Sequence, residues 1–309
     1  MAHLRQIRLT YWQRESLWAY LFLSPWIIGF VVFTAGAMIA SLYLSFTDWD
    51  ALTPARWVGL ANYQKLFFHD PLIWQSLKVT AVYALISVPL NLAIGLLLAI
   101  LLNQRVPGMR LLRTVYYLPA VIGGVAIAVT WRWMFQGEFG VINLLLREIG
   151  IKGPDWLFSR QWVIPSFVIV SLWQVGASMV INLAALQGIP SELYEAAGID
   201  GCSATGKFRY ITLPGMSAVL FFNLVIGIIS SFRIFTQAYV LTGGGPGNAS
   251  LFYNLYLFKN AFRFFKMGYA SAMAWVLLLI ILILTAVVFK SSPYWVFYET
   301  ELRKGEQTK

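Results

Sequence analysis

Charge is scarce in this sequence. Only 12% of its 309 residues are Asp, Glu, Lys or Arg, against about 25% in an ordinary soluble domain, while 59% are hydrophobic and 16% aromatic. A soluble core of that composition would lack the polar surface that water demands, so the chain is expected to lie in a membrane. Thiols are scarce as well. Cys202 is the only cysteine, which excludes an intrachain disulfide and a cysteine-built metal cage. His3 and His69 are the only histidines and stand far apart, so a His/Cys metal site is not expected. The net charge of +10 does not imply nucleic acid, because the basic residues are scattered between apolar runs and form no dense patch. Spare Lys and Arg at the ends of apolar segments suit anionic lipid head groups instead.

A helix crosses about 30 Å of hydrocarbon with roughly 20 apolar residues. Runs of that length occupy 17–46, 76–102, 111–135, 163–186, 215–241 and 269–289. Turn-rich breaks separate them, among them NQRVPGMR, IKGPDW and TGGGPGN. No alternating strand pattern competes. The expected fold is all-α and integral to the membrane, with six transmembrane helices over 17–289 flanked by segments 1–16 and 290–309. Arg5, Arg8 and Arg14, followed by Ala35-Gly36-Ala37, imitate a cleavable signal. Apolar residues continue past Ala37 to Phe46, however, longer than a usual signal core, so an uncleaved first span is expected. With both termini cytoplasmic, the 23 basic residues divide twelve inside to eleven outside, which leaves the positive-inside rule almost silent. Lys78, Arg132 and Arg233 fall near outer helix ends, where snorkelling to head groups competes with contact to a solute.

None of the six runs contains Asp or Glu. Proton-coupled carriers commonly use intramembrane carboxylates, so that class is disfavoured. Sodium coupling is less excluded, since carbonyls and hydroxyls hold that ion, and an ion-coupled secondary carrier for a polar solute stands as the alternative function. A membrane enzyme has little to work with, because there is no buried acid/base pair. Uncharged polar residues recur at helical spacing. Ser171, Gln174, Ser178 and Asn182 fall on one face of the fourth run, Tyr83, Ser87, Asn91 and Gly95 on one face of the second, and Asn223, Gly227 and Ser230 mark the fifth. Such neutral stripes suit a hydroxyl-rich solute, and they equally suit close helix packing.

The most polar stretch, EAAGIDGCSATGKFRYITLP (195–214), holds two patterns. Gly201 to Lys207 has the G-x-x-x-x-G-K spacing of a phosphate-binding loop, but Phe208 stands where a Ser or Thr must hold Mg²⁺, and no buried strand precedes it. The second pattern is Glu195-Ala196-Ala197, then Gly201 after three residues, then Ile211, Leu213 and Pro214 after nine more. Pro190 and Ser191 suit a helix start, Glu192 and Glu195 suit its early turns, Gly198 and Gly201 suit turns, and Ser203 can cap a second short helix. A helix–turn–helix knob between the fourth and fifth runs is expected.

That second pattern resembles the signature of ABC importer permeases. WVGLANYQKLF, YYLPAVIGGVAIAVTWRWMF, LWQVGASMVINLAALQGIPSELYEAAGIDG and YVLTGGGPGNAS resemble the binding-protein-dependent sugar permeases, of maltose and glycerol-3-phosphate type, in particular the partner bearing the TGGGP loop. Cys202 stands where such permeases commonly carry Ala. The resemblance implies a cytoplasmic coupling loop at 188–214 that docks on an ATPase, with Glu195 as charged anchor, Ala196 and Ala197 as close-packing surface, Gly201 as the turn, and Glu192 and Asp200 beside them. It implies a heterodimer with a second permease, two ATPase subunits that bind the ATP and Mg²⁺, and an extracellular solute-binding protein that delivers a sugar. No cofactor and no catalytic residue are expected in this chain, which would sit in the cytoplasmic membrane. Gln174, Ser178, Asn182, Asn223 and Ser230 are the candidates for the solute path.

Overall fold

The computed structural model describes residues 10–104 and 106–297. His3, Arg5, Arg8, Arg105, Arg303, Lys304 and Lys309 lie outside the described residues, as do most of segment 1–16 and much of segment 290–309. Four helical stretches are long and apolar enough to cross a membrane, namely Arg14–Ser45, Pro71–Leu102, Ala204–Phe232 and Met267–Tyr294. Two bent helix pairs bring the number to six if each is one span. The chain divides into two compact units, one holding the described residues up to Leu66 with Asn260–Trp275, the other holding Phe67–Lys259 and the described residues from Val276 onward.

In the first unit, α1 (Tyr11–Gly29), a π-helical stretch (Phe30–Ala35) and α2 (Gly36–Ser45) form one uninterrupted span. The helix runs straight through Ala35-Gly36-Ala37, as apolar residues on every side dictate. One of its freed carbonyls is met by a neighbour, because Asn62 Nδ2 donates to Ser45 O at 2.9 Å, and the same amide donates to Thr47 O at 2.8 Å just beyond the helix. A small antiparallel pair, β1 (Thr47–Asp48) and β2 (Arg56–Trp57), closes the turn, and the short α3 (Ala61–Gln64) follows. Trp57 stacks on Phe46 at 5.6 Å. Much of WVGLANYQKLF therefore serves to fasten the end of the first span. The start of α15 (Met267–Ser291) is held here too, since Trp275 Nε1 donates to Ser41 Oγ at 3.0 Å.

The second unit is built around α4 (Pro71–Leu102), 32 residues long and so about 48 Å from end to end. Asp70 caps it by accepting from Leu72 N at 3.0 Å, and Pro71 takes the first position, where no donor is lost. At the other end Arg113 donates to Leu102 O from Nε at 3.0 Å and from Nη2 at 2.7 Å. The third run is not one straight helix. α5 (Met109–Val121) and α6 (Gly124–Met134) meet at 100°, because Pro119 weakens the last turn of α5 while Ile122 and Gly123 are extended. After the short α7 (Val141–Glu148), the fourth run also bends, by 47°, between α8 (Val163–Trp173) and α9 (Gly176–Gln187). Gly176 stands at the start of α9, just after the bend. A Cβ there would lie 2.3 Å from Tyr116 O, so α9 and α5 approach backbone to backbone.

The knob consists of α10 (Ser191–Ile199) and α11 (Ala204–Lys207), but α11 is not the separate short helix expected, because it continues through a π-helical stretch (Phe208–Thr212) into the next helix within the single span Ala204–Phe232. Then α12 (Leu213–Phe232) begins with Pro214 in its first turn and ends nine residues short of the fifth run, whose remainder forms a separate α13 (Thr236–Leu241). α14 (Tyr253–Phe258) packs on α4, and Tyr253 N donates to Thr80 Oγ1 at 2.9 Å. The buried core of this unit includes Leu96, Ala99, Leu102, Met179, Leu183 and Met216, where α4, α9 and α12 meet.

Candidate functional site

A cavity of about 480 Å³ opens among α4, α8, α9, α12 and the stretch entering α13. Tyr83, Ser87 and Asn91 line it from α4, Ser171, Gln174 and Ser178 from the bend of α8 and α9, and Asn223, Gly227 and Ser230 from α12. Three polar stripes that are separate in sequence thus share one wall, with Ile181, Phe222 and Ile226 supplying apolar surface between them. None of the residues lining it is charged. The size suits a small-molecule site, which typically takes some 300–1,000 Å³.

Carboxamides knit the wall. Asn91 Nδ2 donates to Ser87 O at 2.8 Å and to Ser171 Oγ at 3.0 Å. Gln237 Nε2 donates to Gln174 Oε1 at 2.6 Å, and Asn223 Nδ2 donates to Asn182 Oδ1 at 2.9 Å. Asn182 itself is fully buried and holds Asn223 from behind the wall; its own Nδ2 meets no acceptor. Gly95 is likewise a packing position, for a Cβ there would sit 2.9 Å from Ser178 Oγ and 3.4 Å from Asn182 Nδ2. The stripes therefore divide within a few residues of one another, with some members facing the cavity and others facing a neighbouring helix.

The knob carries the second set of candidates. Glu192 lies in the first turn of α10, and Glu192, Glu195, Ala196 and Asp200 are exposed while Ala197 is half-buried. Gly201 has φ +72°, Cys202 N donates to Ala197 O at 2.8 Å and Gly201 N to Gly198 O at 3.2 Å. This pair of bonds around a left-handed residue is a Schellman ending, which glycine adopts without penalty. Gly198 lies within α10 and makes no turn of its own. Its missing Cβ leaves room for Lys207 Nζ, which would stand 3.1 Å from one. Ser203 accepts from Gly206 N at 3.2 Å and so caps α11. Tyr194 and Thr212 share a hydrogen bond of 3.0 Å between their hydroxyls, and Ile189 fills the space beside Gly215, so the knob is pinned to the root of α12. Leu193 is 51% and Ile199 89% exposed.

The TGGGPGN loop is equally fastened. Lys259 Nζ donates to Gly243 O at 2.6 Å, and Thr242 and Ser250 bond through their hydroxyls at 2.7 Å. Gly243, Gly244, Gly247 and Asn248 all take positive φ, and Gly247 and Asn248 are exposed at the tip. Of the basic residues at helix ends, Lys78 is exposed, Arg132 Nη1 donates to Val240 O at 3.2 Å, and the Arg233 carbonyl accepts from Asn254 Nδ2 at 3.0 Å.

A family described as binding-protein-dependent transport system inner membrane component matches residues 91–292, nearly two thirds of the chain and all of the knob. The chain belongs to this family. The permease is 47% identical over 293 residues to a probable ABC transporter permease protein, YesP, of Bacillus subtilis (strain 168), covering 94% of each chain. It is 33% identical over 279 residues to the trehalose/maltose transport system permease protein MalF of Thermococcus litoralis, covering 90% of this chain and 94% of the other. Its fold matches that in the crystal structure of a bacterial ABC transporter involved in the import of the acidic polysaccharide alginate. The TM-score is 0.81 at 23% identity, with 91% of this chain and 96% of that one covered. Family membership makes the permease a transport component and not an enzyme, and it sets aside the ion-coupled carrier.

Gln237 and Thr236, which also line the permease's cavity, escaped the sequence reading because they lie beyond the end of α12 in what looked like one apolar run. The signal was present in the polar pair itself, two residues after Ile234-Phe235 begins the turn.

Proposed function

We propose that this permease subunit conducts a carbohydrate, an oligosaccharide or related sugar, through the cavity between α4, α9 and α12. A chargeless wall of hydroxyls and carboxamides carries the reading. It offers many donors and acceptors to sugar hydroxyls, and apolar patches to the faces of the ring, without burying an unpaired charge. Relatives named for trehalose/maltose and for arabinooligosaccharides support the sugar class.

The knob at 188–214 is the coupling element in this reading. Glu195 and Ala196 are exposed on a short helix that ends in a Schellman turn and is held to Thr212 through Tyr194, and Leu193 and Ile199 present apolar side chains to a partner rather than to the chain's own core. Exposed apolar side chains beside a carboxylate suit a docking cleft on another protein. Two ATPase subunits supply the ATP and Mg²⁺ chemistry, a second permease completes the path, and an extracellular binding protein delivers the sugar to a surface that includes the TGGGPGN tip. If the knob is cytoplasmic and the chain spans the membrane six times, both termini are cytoplasmic, because the knob follows the fourth span. Closure of the ATPase dimer biases the permease only by as much as it favours one state over the other, and a rigid knob transmits that bias.

Uptake of labelled neutral and acidic oligosaccharides into vesicles holding the full complex tests this. ATP-dependent uptake of a neutral sugar, abolished when the binding protein is omitted, is expected. Exclusive uptake of a charged, non-carbohydrate solute would overturn the sugar assignment.

A further inference from the structure

The last described residues return to the root of the proposed coupling loop. α15 ends at Ser291, and a single 3-10 turn, Ser292–Tyr294, redirects the chain around Pro293. Val296 N donates to Ser292 O at 2.8 Å, and the Val296 side chain is buried. Trp295 packs on Phe221 of α12 at 5.9 Å between ring centres, and Phe289 meets the same ring at 4.9 Å. Phe297 N then donates to Ser217 Oγ at 2.8 Å, while the Ser217 hydroxyl donates to Pro214 O at 2.6 Å.

Ser217 is only 4% exposed, so water does not substitute freely for either partner. A serine hydroxyl has one proton to give and lone pairs to receive, and here both capacities are used. The proton goes to the last residue of the Ile211-x-Leu213-Pro214 signature. The lone pair takes the backbone of a segment that continues directly from the last span. A tail that merely trails into water has no reason to bury Val296 or to hand its amide to a buried serine.

We propose that Ser217 is a positioning residue for transport. It ties the strap 292–297, and through it the end of α15, to the root of the coupling loop, so that movement of the loop reaches α12 and α15 together. The proposal rests on the coupling role given above to 188–214. Without the tie, the loop drives α12 directly while the end of α15 follows through ring packing alone, and each ATP hydrolysed moves less solute.

The test is the ratio of solute imported to ATP hydrolysed by the complete complex in proteoliposomes. Ser217→Ala removes both hydrogen bonds, and because only the one from Phe297 N holds the strap, it should lower that ratio on the order of fivefold, with the complex still assembled by size-exclusion chromatography. Ser217→Thr keeps the hydroxyl and should restore the ratio, and Trp295→Ala should lower it through the other half of the strap. An unchanged ratio in an assembled Ser217→Ala complex overturns the tie while leaving wild-type transport intact. Equal falls in uptake and hydrolysis, with Thr no better than Ala, also overturn it, since that is the pattern of a merely structural site. A wild-type complex that moves no solute with ATP overturns the coupling reading and this proposal with it.

Discussion

Asn223 on α12 donates to Asn182 on α9 at 2.9 Å, and of the two only Asn223 faces the cavity. The pair shows how a polar residue in a membrane helix serves a neighbour before it serves a solute. Asn182→Leu removes the acceptor of the Asn223 amide, a hydrogen bond whose loss costs about 0.5–1.5 kcal/mol. The expected outcome is a lower melting temperature of the detergent-solubilised complex along with weaker transport.

Gln174→Leu should behave differently. Gln174 lines the cavity, and Gln237, which donates to it, lines it too. Transport should weaken with assembly and melting temperature nearly unchanged. A comparable loss of stability in both variants would assign the whole stripe to packing.

Gly176→Ala tests the crossing of α5 and α9. The new Cβ would stand 2.3 Å from Tyr116 O, a backbone atom that cannot rotate away. Forced separation of two packed helices costs typically 1–3 kcal/mol, so destabilisation of about that size is expected in a thermal melt.

Much of this was legible in the sequence because membrane helices advertise themselves by length and apolarity. The turns of the knob follow from local chemistry, namely Ser203 as a cap and Gly201 at a Schellman ending, whereas the apolar run at 76–102 left out the first five residues of α4, which Asp70-Pro71 starts. The bends were not legible as bends. Pro119 and Gly123 are common inside membrane spans, and that the fourth run bends just before Gly176, where it meets Tyr116 backbone to backbone, is visible only in the fold. The stripes were visible at helical spacing, yet spacing alone could not say that Asn182 and Gly95 face protein while Ser178 faces the cavity. That division depends on which helix lies opposite, and helix neighbours are a property of the fold.

Gly201→Ala probes the knob's turn. A left-handed conformation costs a residue with a Cβ roughly 1–2 kcal/mol, against φ of +72° here. Weaker co-purification of the ATPase is expected, with insertion of the chain into membranes unchanged.

The central claim is that this chain is driven through its knob by a motor on another polypeptide, and Glu195→Arg tests it most directly. Glu195 is exposed on α10, so reversing its charge leaves the chain's own packing alone. The measurement is solute-stimulated ATP hydrolysis and ATPase co-purification by the reconstituted complex, beside a check of membrane insertion. The expected result is normal insertion with both ATPase association and stimulated hydrolysis lost. Normal insertion with undiminished association and hydrolysis would contradict the account.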